Sequence, residues 1–526
     1  MIKKNLKKLK KIIKLNNIDG YIVPKNDEYF SEFSFPNRLK TISNFSGSAG
    51  FALILKKKNY LFVDGRYTLQ AKIQSGNNFQ ILEIPKIWPK EVLYKFKKKL
   101  HIGFDPKLFT NLTLYRYFDN TCKLTPLKQN LIDLIFQEKK QKKINFFRNL
   151  NKKITGEKID SKINRLLNSL KKQNIENIFI SAPENVAWLF NLRGKDNPNS
   201  PIPNCKVILT KEKKIYFFSC PLKIKKIRKI IPYKKFIFCK YDDFLSVICN
   251  LNGKNFCIDS SSCSILNEYL IRSKFHIKSF VDPCYNMKSI KNKTEINNMK
   301  ISHIYDGVAL TKFLFWIKNN KLKGLDELSA EKKLESIRKK NKNYLYPSFN
   351  TIAGSGPNSA IIHYRANIKT NRKIKKNDLF LCDSGGQYKY GTTDVTRTIA
   401  FNEQSKKVKD IFTRVLKGHI AVATTNLNKI SKGNMIDERA RHWLKKVNLD
   451  YGHGTGHGVG HILSVHESPP SLSKMSNNYV VRGNIISNEP GYYKTNNYGI
   501  RHENLLEVIN DKKNWLKFKC LTIFPF

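Results

Sequence analysis

Four of the chain's eleven histidines fall within fourteen positions of the stretch YGHGTGHGVGHILSVHES, residues 451–468. His453, His457 and His461 recur every fourth residue, as ligands on one face of a zinc-binding helix would. Five glycines within residues 452–460 argue against that helix, each costing about 1 kcal/mol relative to alanine. The segment reads instead as a strand or loop whose backbone passes close to something. Each histidine then has its own task, and the tasks depend on carboxylates elsewhere.

Those carboxylates are found at strand ends. In DLFLCDSGGQYKYGTTDVTRTIA, residues 378–400, Asp383 closes an apolar strand and a Ser-Gly-Gly turn follows it. Asp394 comes eleven residues later, in a β-branched run of strand character. A strand, turn and returning strand would set both aspartates at one end of a hairpin. Glu489 follows the apolar run of IISNEPGYY, and Glu503 lies in YGIRHENLLEV with Arg501 on the same face by the period of two. Four acids facing one another repel strongly unless cations neutralise them. Two divalent ions balance four carboxylates, and a neutral His457 adds no charge. So oxygen-rich a ligand set suits Mn²⁺, Co²⁺ or Fe²⁺ better than a structural zinc.

Several elements must position these groups. MIKKNLKKLKKIIKLNN carries Ile2, Leu6, Leu9 and Ile13 at helical spacing, the opening helix of a domain. SGSAGFALILKKKNYLFVDGRYTLQAKI predicts a glycine turn, two strands turning at Asn59, then a helix after Asp64-Gly65. HIGFDP and KNFCIDSSS look like matching strand ends, and residues 175–194 repeat the strand-turn-helix form of the first domain. Residues 1–140 and 141–288 are therefore expected to be two copies of one α/β unit, with the lysine-rich 137–158 as a linker. A third domain, 289–526, begins near the helix start at Thr294-Glu295 and holds nearly all the chemistry.

At 526 residues the chain calls for several domains, and 40% hydrophobic content excludes wholesale disorder. The net charge of +55 invites a nucleic-acid or membrane reading. The lysines, however, are spread along the whole chain and far outnumber the arginines that phosphate and base recognition favours. A lysine-, asparagine- and isoleucine-rich composition of the kind an AT-rich genome imposes accounts for the charge, so neither specific nucleic acid nor membrane is expected as partner. Ten cysteines without metal-knuckle spacing fit free thiols in a reducing compartment. No stretch is long and apolar enough to span a membrane, and the N-terminus lacks a secretory cleavage pattern, so the cytoplasm is expected.

The motifs HGTGHGVG, NEPGYY and GTTDVTRT, with Asp383, Asp394, His457, Glu489 and Glu503, resemble those of the dinuclear-metal pita-bread peptidases of metallopeptidase family M24. This is the family of methionine aminopeptidase, prolidase and aminopeptidase P. FSGSAGFALI, DGRYTLQA, ENVAWLFNLRG and PNSAIIHYRA extend the likeness over most of the chain, toward the long three-domain aminopeptidase P (Xaa-Pro aminopeptidase). The resemblance implies an α/β (α+β) fold in which two creatinase-N-like α/β domains precede a pita-bread catalytic domain. It implies a metalloaminopeptidase that removes the first residue from peptides with proline second, using two divalent ions, Mn²⁺ first and Co²⁺ or Zn²⁺ next. Asp383 and Asp394 would bind metal with His457, Glu489 and Glu503, Asp394 and Glu503 bridging both ions. Glu489 would also act as general base. His363 and His466 would stabilise the substrate carbonyl and tetrahedral intermediate, His453 would hold the proline side, and Arg501 would orient the neighbouring carboxylate at the substrate site. A homodimer belongs to the same implication, although WLKFKCLTIFPF stops where long-form relatives continue. His461 matches no family role and reads as a surface or packing histidine. His502 is harmless if its ring points away from the site. The rivals are a prolidase, a metal-free creatinase-like hydrolase and a non-catalytic basic interaction protein.

Overall fold

The computed structural model describes residues 2–31, 36–136, 144–228, 235–320, 322–511 and 515–525. The chain forms two compact units. One comprises the residues through Asn149 with Ile159–Pro198 and Ile202–Cys284; the other comprises Leu150–Lys158, Asn199–Pro201 and the chain from Tyr285 onward.

The first unit contains two six-stranded sheets of one topology. Numbered along the chain within each sheet, the strands lie in the order 4-3-2-1-5-6 in both. The first sheet's strands are Gly20–Pro24, Phe51–Leu55, Asn59–Asp64, Gln80–Ile84, His101–Phe104 and Lys123–Pro126. The second's are Asn177–Ile180, Lys206–Thr210, Ile215–Phe218, Phe236–Cys239, Asn255–Ile258 and His276–Ser279. Polarity repeats as well: strands 1-2 and 2-3 pair antiparallel, and 3-4, 1-5 and 5-6 pair parallel. HIGF and NFCI, matched in the sequence, are both fifth strands. The opening helix Ile2–Leu15 buries Leu6, Leu9 and Ile13 in the first core, as a domain helix does.

The expected linker falls partly on 137–143, outside the described residues. Its remainder includes the helix Lys152–Thr155. There the carbonyls of Ile154 and Thr155 accept from the Asn298 and Asn292 side chains, tying it to the helix Lys293–Lys318 of the second unit.

In the second unit two sheets each carry a helix pair on one face. Ile352–Ser355, Leu379–Ser384 and Val395–Ala400 form a three-stranded antiparallel sheet. Phe380, Cys382, Val395 and Ile399 pack on Leu310, Phe313, Ile317, Ala330 and Leu334 of the helices Lys293–Lys318 and Glu327–Arg338. A five-stranded sheet runs in the order Glu467–Leu472, Gly456–Gly458, Ile485–Asn488, Asn504–Asn510, Leu516–Cys520. Its Leu472, Ile486, Leu506 and Val508 pack on Val422, Ile436 and Ala440 of the helices Lys406–Ala423 and Gly433–Lys445. Because strand side chains alternate, Asp383 faces away from the helices, His457 lies in the strand Gly456–Gly458, and Asp394, Glu489 and Glu503 lie directly before or after strands of these two sheets.

Among the described residues no helix is long and apolar enough to cross a membrane. All ten cysteines are free thiols, six of them buried.

The last two helices meet at Gly418, where an added Cβ would lie 2.3 Å from the Ala440 carbonyl oxygen. In an open helix a glycine-to-alanine change stabilises by about 1 kcal/mol. Here Gly418→Ala is expected to destabilise by about 1–3 kcal/mol through overpacking, read as a lowered urea midpoint.

Candidate metal centre

Asp383 sits in the 379–384 strand, on the side opposite Phe380 and Cys382. The ladder pairs it with Thr396 and ends one step later, at Ser384 and Val395. Asp394 lies one residue before the returning strand, so both aspartates stand at one end of the strand pair. Glu489 follows the strand Ile485–Asn488. Arg501 ends the strand Tyr498–Arg501, and Glu503 precedes the strand Asn504–Asn510. The expected continuous strand through Arg501 and Glu503 is thus broken at His502, whose N–H reaches the Pro490 carbonyl at 3.3 Å. Both side chains nevertheless meet one hydroxyl: Thr396 donates to Glu503 Oε2 at 2.8 Å and accepts from Arg501 Nε at 3.3 Å.

His457 lies in the short strand Gly456–Gly458, not in a helix. Its Nδ1–H donates to the Gly458 carbonyl at 2.9 Å. That bond turns Nε2 toward Asp394 Oδ2 at 3.6 Å and Glu489 Oε1 at 3.3 Å. The glycines around it meet the chain's own backbone. A Cβ on Gly456 would lie 1.9 Å from the Ser487 carbonyl oxygen, and one on Gly458 2.7 Å from that of Glu467. Glycine is needed here so that neighbouring backbone can close on His457; the close approach expected from the sequence is to the chain's own strands.

Among the described residues three sets of side chains have ligand atoms within 4.8 Å of one another: Asp383 with Asp394 and Glu503, His457 with Glu489 and Glu503, and Asp394 with His457 and His466. Asp383, Asp394 and Glu503 are buried, and among the described residues Asp383 Oδ1, Asp394 Oδ1 and Glu503 Oε1 have no hydrogen-bond partner. Burial and the neighbouring acids hold Asp394 and Glu503 well above the usual carboxylate range. Burial also raises Asp383, against the opposing Arg501 guanidinium, which donates to its Oδ2 at 2.6 Å. At Glu489 burial pushes up, but His457, His453 and Arg501 outweigh it and hold the carboxyl at about 2. Orphaned, mutually repelling carboxylate oxygens beside an oriented imidazole fit divalent cations, which would satisfy the lone pairs and remove the repulsion.

His453 accepts from Tyr493 at Nε2, 2.8 Å away, and donates from Nδ1 to the Gly454 carbonyl at 2.7 Å. Burial lowers its pKa to about 4, so the ring is neutral near pH 7. Tyr493 also receives Arg501 Nη1 at 2.6 Å and so joins the histidine to the arginine. His466 is exposed, its ring edge-on to His457 with centroids 4.5 Å apart. His363 is half-buried, in the turn whose preceding carbonyl, that of Ile362, lies 3.5 Å from Arg501 Nη1.

Two unassigned histidines also find places. His461 is buried, not at the surface, with Nε2 3.0 Å from the Tyr390 carbonyl and Nδ1 3.7 Å from Glu295 Oε1. His502 packs edge-on against Phe412, centroids 4.3 Å apart, on the helix side of the sheet. Thr396, Ser487 and Tyr493 carry no signal of their role in the sequence beyond Thr396 following Asp394 at the period of two. Ser487 accepts from the His457 N–H at 2.9 Å and donates to Glu489 Oε1 at 3.0 Å.

Known proteins resemble this chain in sequence and fold. Residues 297–510 match the family model for metallopeptidase family M24, and 5–134 and 137–295 each match a creatinase/prolidase N-terminal domain. These matches define a metallopeptidase domain behind two creatinase-type domains. A probable Xaa-Pro aminopeptidase P of Paracoccidioides brasiliensis is 35% identical over 99% of this chain and 90% of its own length. One from Laccaria bicolor is 35% identical over 99% and 85%. The crystal structure of an X-prolyl aminopeptidase from Caenorhabditis elegans, described as a cytosolic enzyme with a di-nuclear active site, superposes with a TM-score of 0.93. It is 27% identical and covers 100% of this chain and 91% of its own. Prolidase from Pyrococcus furiosus, 23% identical with a TM-score of 0.56, covers 69% of this chain and 100% of its own and shares the fold. The chain belongs to the aminopeptidase P family within metallopeptidase family M24.

The raised carboxylates give metal-free protein a pH-dependent penalty. In the folded state Asp394 and Glu503 keep protons that the unfolded chain gives up. Their contribution to stability is therefore fullest below the ordinary carboxylate range and is lost as pH rises through the raised values, while that of Glu489 runs the other way and is lost as pH falls toward about 2. Mn²⁺ is expected to cancel this trend and, at about a hundred times its Kd, to add about 2.7 kcal/mol. Calorimetric unfolding of chelator-stripped protein across pH, with and without Mn²⁺, checks both. Asp394→Asn should be more stable than wild type without metal and gain less from it.

Proposed function

We propose that the chain is a dinuclear-metal aminopeptidase that removes the N-terminal residue from peptides with proline in the second position. The observation that carries this is the convergence of three orphaned, buried carboxylate oxygens with Glu489 and the oriented Nε2 of His457. Kinship with Xaa-Pro aminopeptidases over nearly the whole chain supports the substrate class.

Asp383, Asp394, His457, Glu489 and Glu503 would hold the metals. When bound, the ions supply a water acidic enough to attack an amide near neutral pH. Glu489, ionised at neutral pH, stands in the base form and receives the proton of the attacking water, then returns it to the leaving proline nitrogen. Arg501 and Thr396 fix the carboxylates of Asp383 and Glu503. His466 and His363 would donate to the developing oxyanion, a contribution of about 2.7–4 kcal/mol per donor. Both nitrogens of His453 are engaged by the protein, so it would meet the proline through its neutral ring. Arg501 acts on the substrate side through Tyr493.

Mn²⁺ is the metal favoured by so oxygen-rich a set, with Co²⁺ or Zn²⁺ as substitutes. The division into domains 1–140, 141–288 and 289–526, cytoplasmic residence and a homodimer complete the reading. Ten free thiols and the cytosolic description of the C. elegans enzyme support the compartment.

Chelator-stripped protein is expected to regain release of the first residue from a Xaa-Pro-Xaa tripeptide when Mn²⁺ is restored. Asp394→Asn should lower kcat/KM by about a hundredfold or more, as losing several kcal/mol of metal-derived stabilisation requires. Cleavage confined to Xaa-Pro dipeptides would make it a prolidase. A folded protein inactive with every divalent metal would overturn the reading.

A further inference from the structure

The strand ladder that holds Asp383 does not hold Asp394. Its last pair is Ser384 with Val395, and the link between the aspartates leaves the sheet: Gly386–Tyr388 pairs instead with Tyr344–Pro347. Asp394 must nevertheless keep its carboxylate among three other acids that repel it. The residue before it is held by four hydrogen bonds. The Thr393 N–H donates to the Gly386 carbonyl at 2.9 Å, and its hydroxyl accepts from the Gly386 N–H at 2.9 Å. Its carbonyl accepts from the Ser348 hydroxyl at 2.9 Å, and its own hydroxyl donates to Asp306 Oδ2 at 2.9 Å.

Asp306 is anchored in turn. It lies on the 293–318 helix and receives Arg338 Nε at 2.7 Å, Arg338 Nη2 at 3.1 Å and the Tyr388 hydroxyl at 2.8 Å. Arg338, at the end of the 327–338 helix, also donates from Nη2 to the Ser384 hydroxyl at 3.1 Å, beside Asp383. Arg338, Asp306, Tyr388, Thr393 and Ser384 are all essentially inaccessible. The pair thus grips both ends of the link from behind, and a Cβ on Gly385 would lie 1.9 Å from the Thr393 carbonyl oxygen. A buried ion pair is a poor source of net stability but a good source of fixed geometry when every donor and acceptor is used.

We propose that Thr393, held by the Asp306–Arg338 pair, is a positioning residue that sets the Asp394 carboxylate for metal binding. This rests on the dinuclear-metal reading above. Supporting residues behind metal ligands typically govern metal affinity by about 10–100-fold.

The test is calorimetric titration of chelator-stripped, full-length protein with Mn²⁺, beside thermal unfolding of the metal-free form. Thr393→Val is nearly isosteric and lacks the hydroxyl; its Kd for Mn²⁺ should rise by about 10–100-fold. Thr393→Ser, which restores the hydroxyl, should bind as wild type does. Ser348→Ala frees the Thr393 carbonyl instead and should shift Kd in the same direction, which keeps the test decisive if Thr393→Val does not fold. A merely structural role would lower the unfolding temperature of the metal-free variants and leave Kd unchanged, and that result overturns the proposal alone. Thr393→Ser as weak as Thr393→Val overturns it too. Wild-type protein that takes up no divalent metal overturns both this proposal and the function on which it rests.

Discussion

Four carboxylates at one spot in a protein interior are the constraint on which the second unit depends. Alone, Asp383, Asp394, Glu489 and Glu503 would each seek water or a proton, and together they push two of their number far above the carboxylate range. The rest of the unit resists that pressure. Strands and their ends bring the acids together, helices load one face of each sheet, and Arg501 offers one fixed positive charge. What remains uncompensated is the negative charge that metal ions would take up.

How much of this the sequence disclosed differs from residue to residue. Asp383 was legible because an apolar run and a Ser-Gly-Gly turn frame it, and the ladder to Thr396 follows from the same pattern. The repeated α/β unit was legible because matching strand motifs recur, and the shared strand order makes that likeness concrete. Glu503 was placed on the correct face for an incomplete reason: the chain breaks at His502, and a shared threonine hydroxyl, not an unbroken strand, aligns it with Arg501. His461 gave no local signal of burial, because its partners Glu295 and Tyr390 lie far away in the chain. Tyr493 and Ser487 were hidden for a similar reason, since a hydroxyl declares its role only through the group it reaches.

The charge of +55 carried less information than its size suggested. A field spread over the surface is screened within about 10 Å at moderate salt, whereas the local field at the candidate centre is dominated by a handful of buried acids and by whatever cations they hold. Composition described the solvent-facing shell, and spacing described the interior.

The glycine comb around His457 has a consequence for how this chain can change over time. Lysine, asparagine and isoleucine are common along the chain, yet GHGTGHGVG, residues 452–460, contains none of the three. At Gly456 and Gly458 the space a side chain would need already belongs to a carbonyl oxygen of an adjoining strand. Compositional drift that can rewrite the exterior therefore finds no foothold here. At those two positions the volume of a single carbon atom decides what the chain can carry.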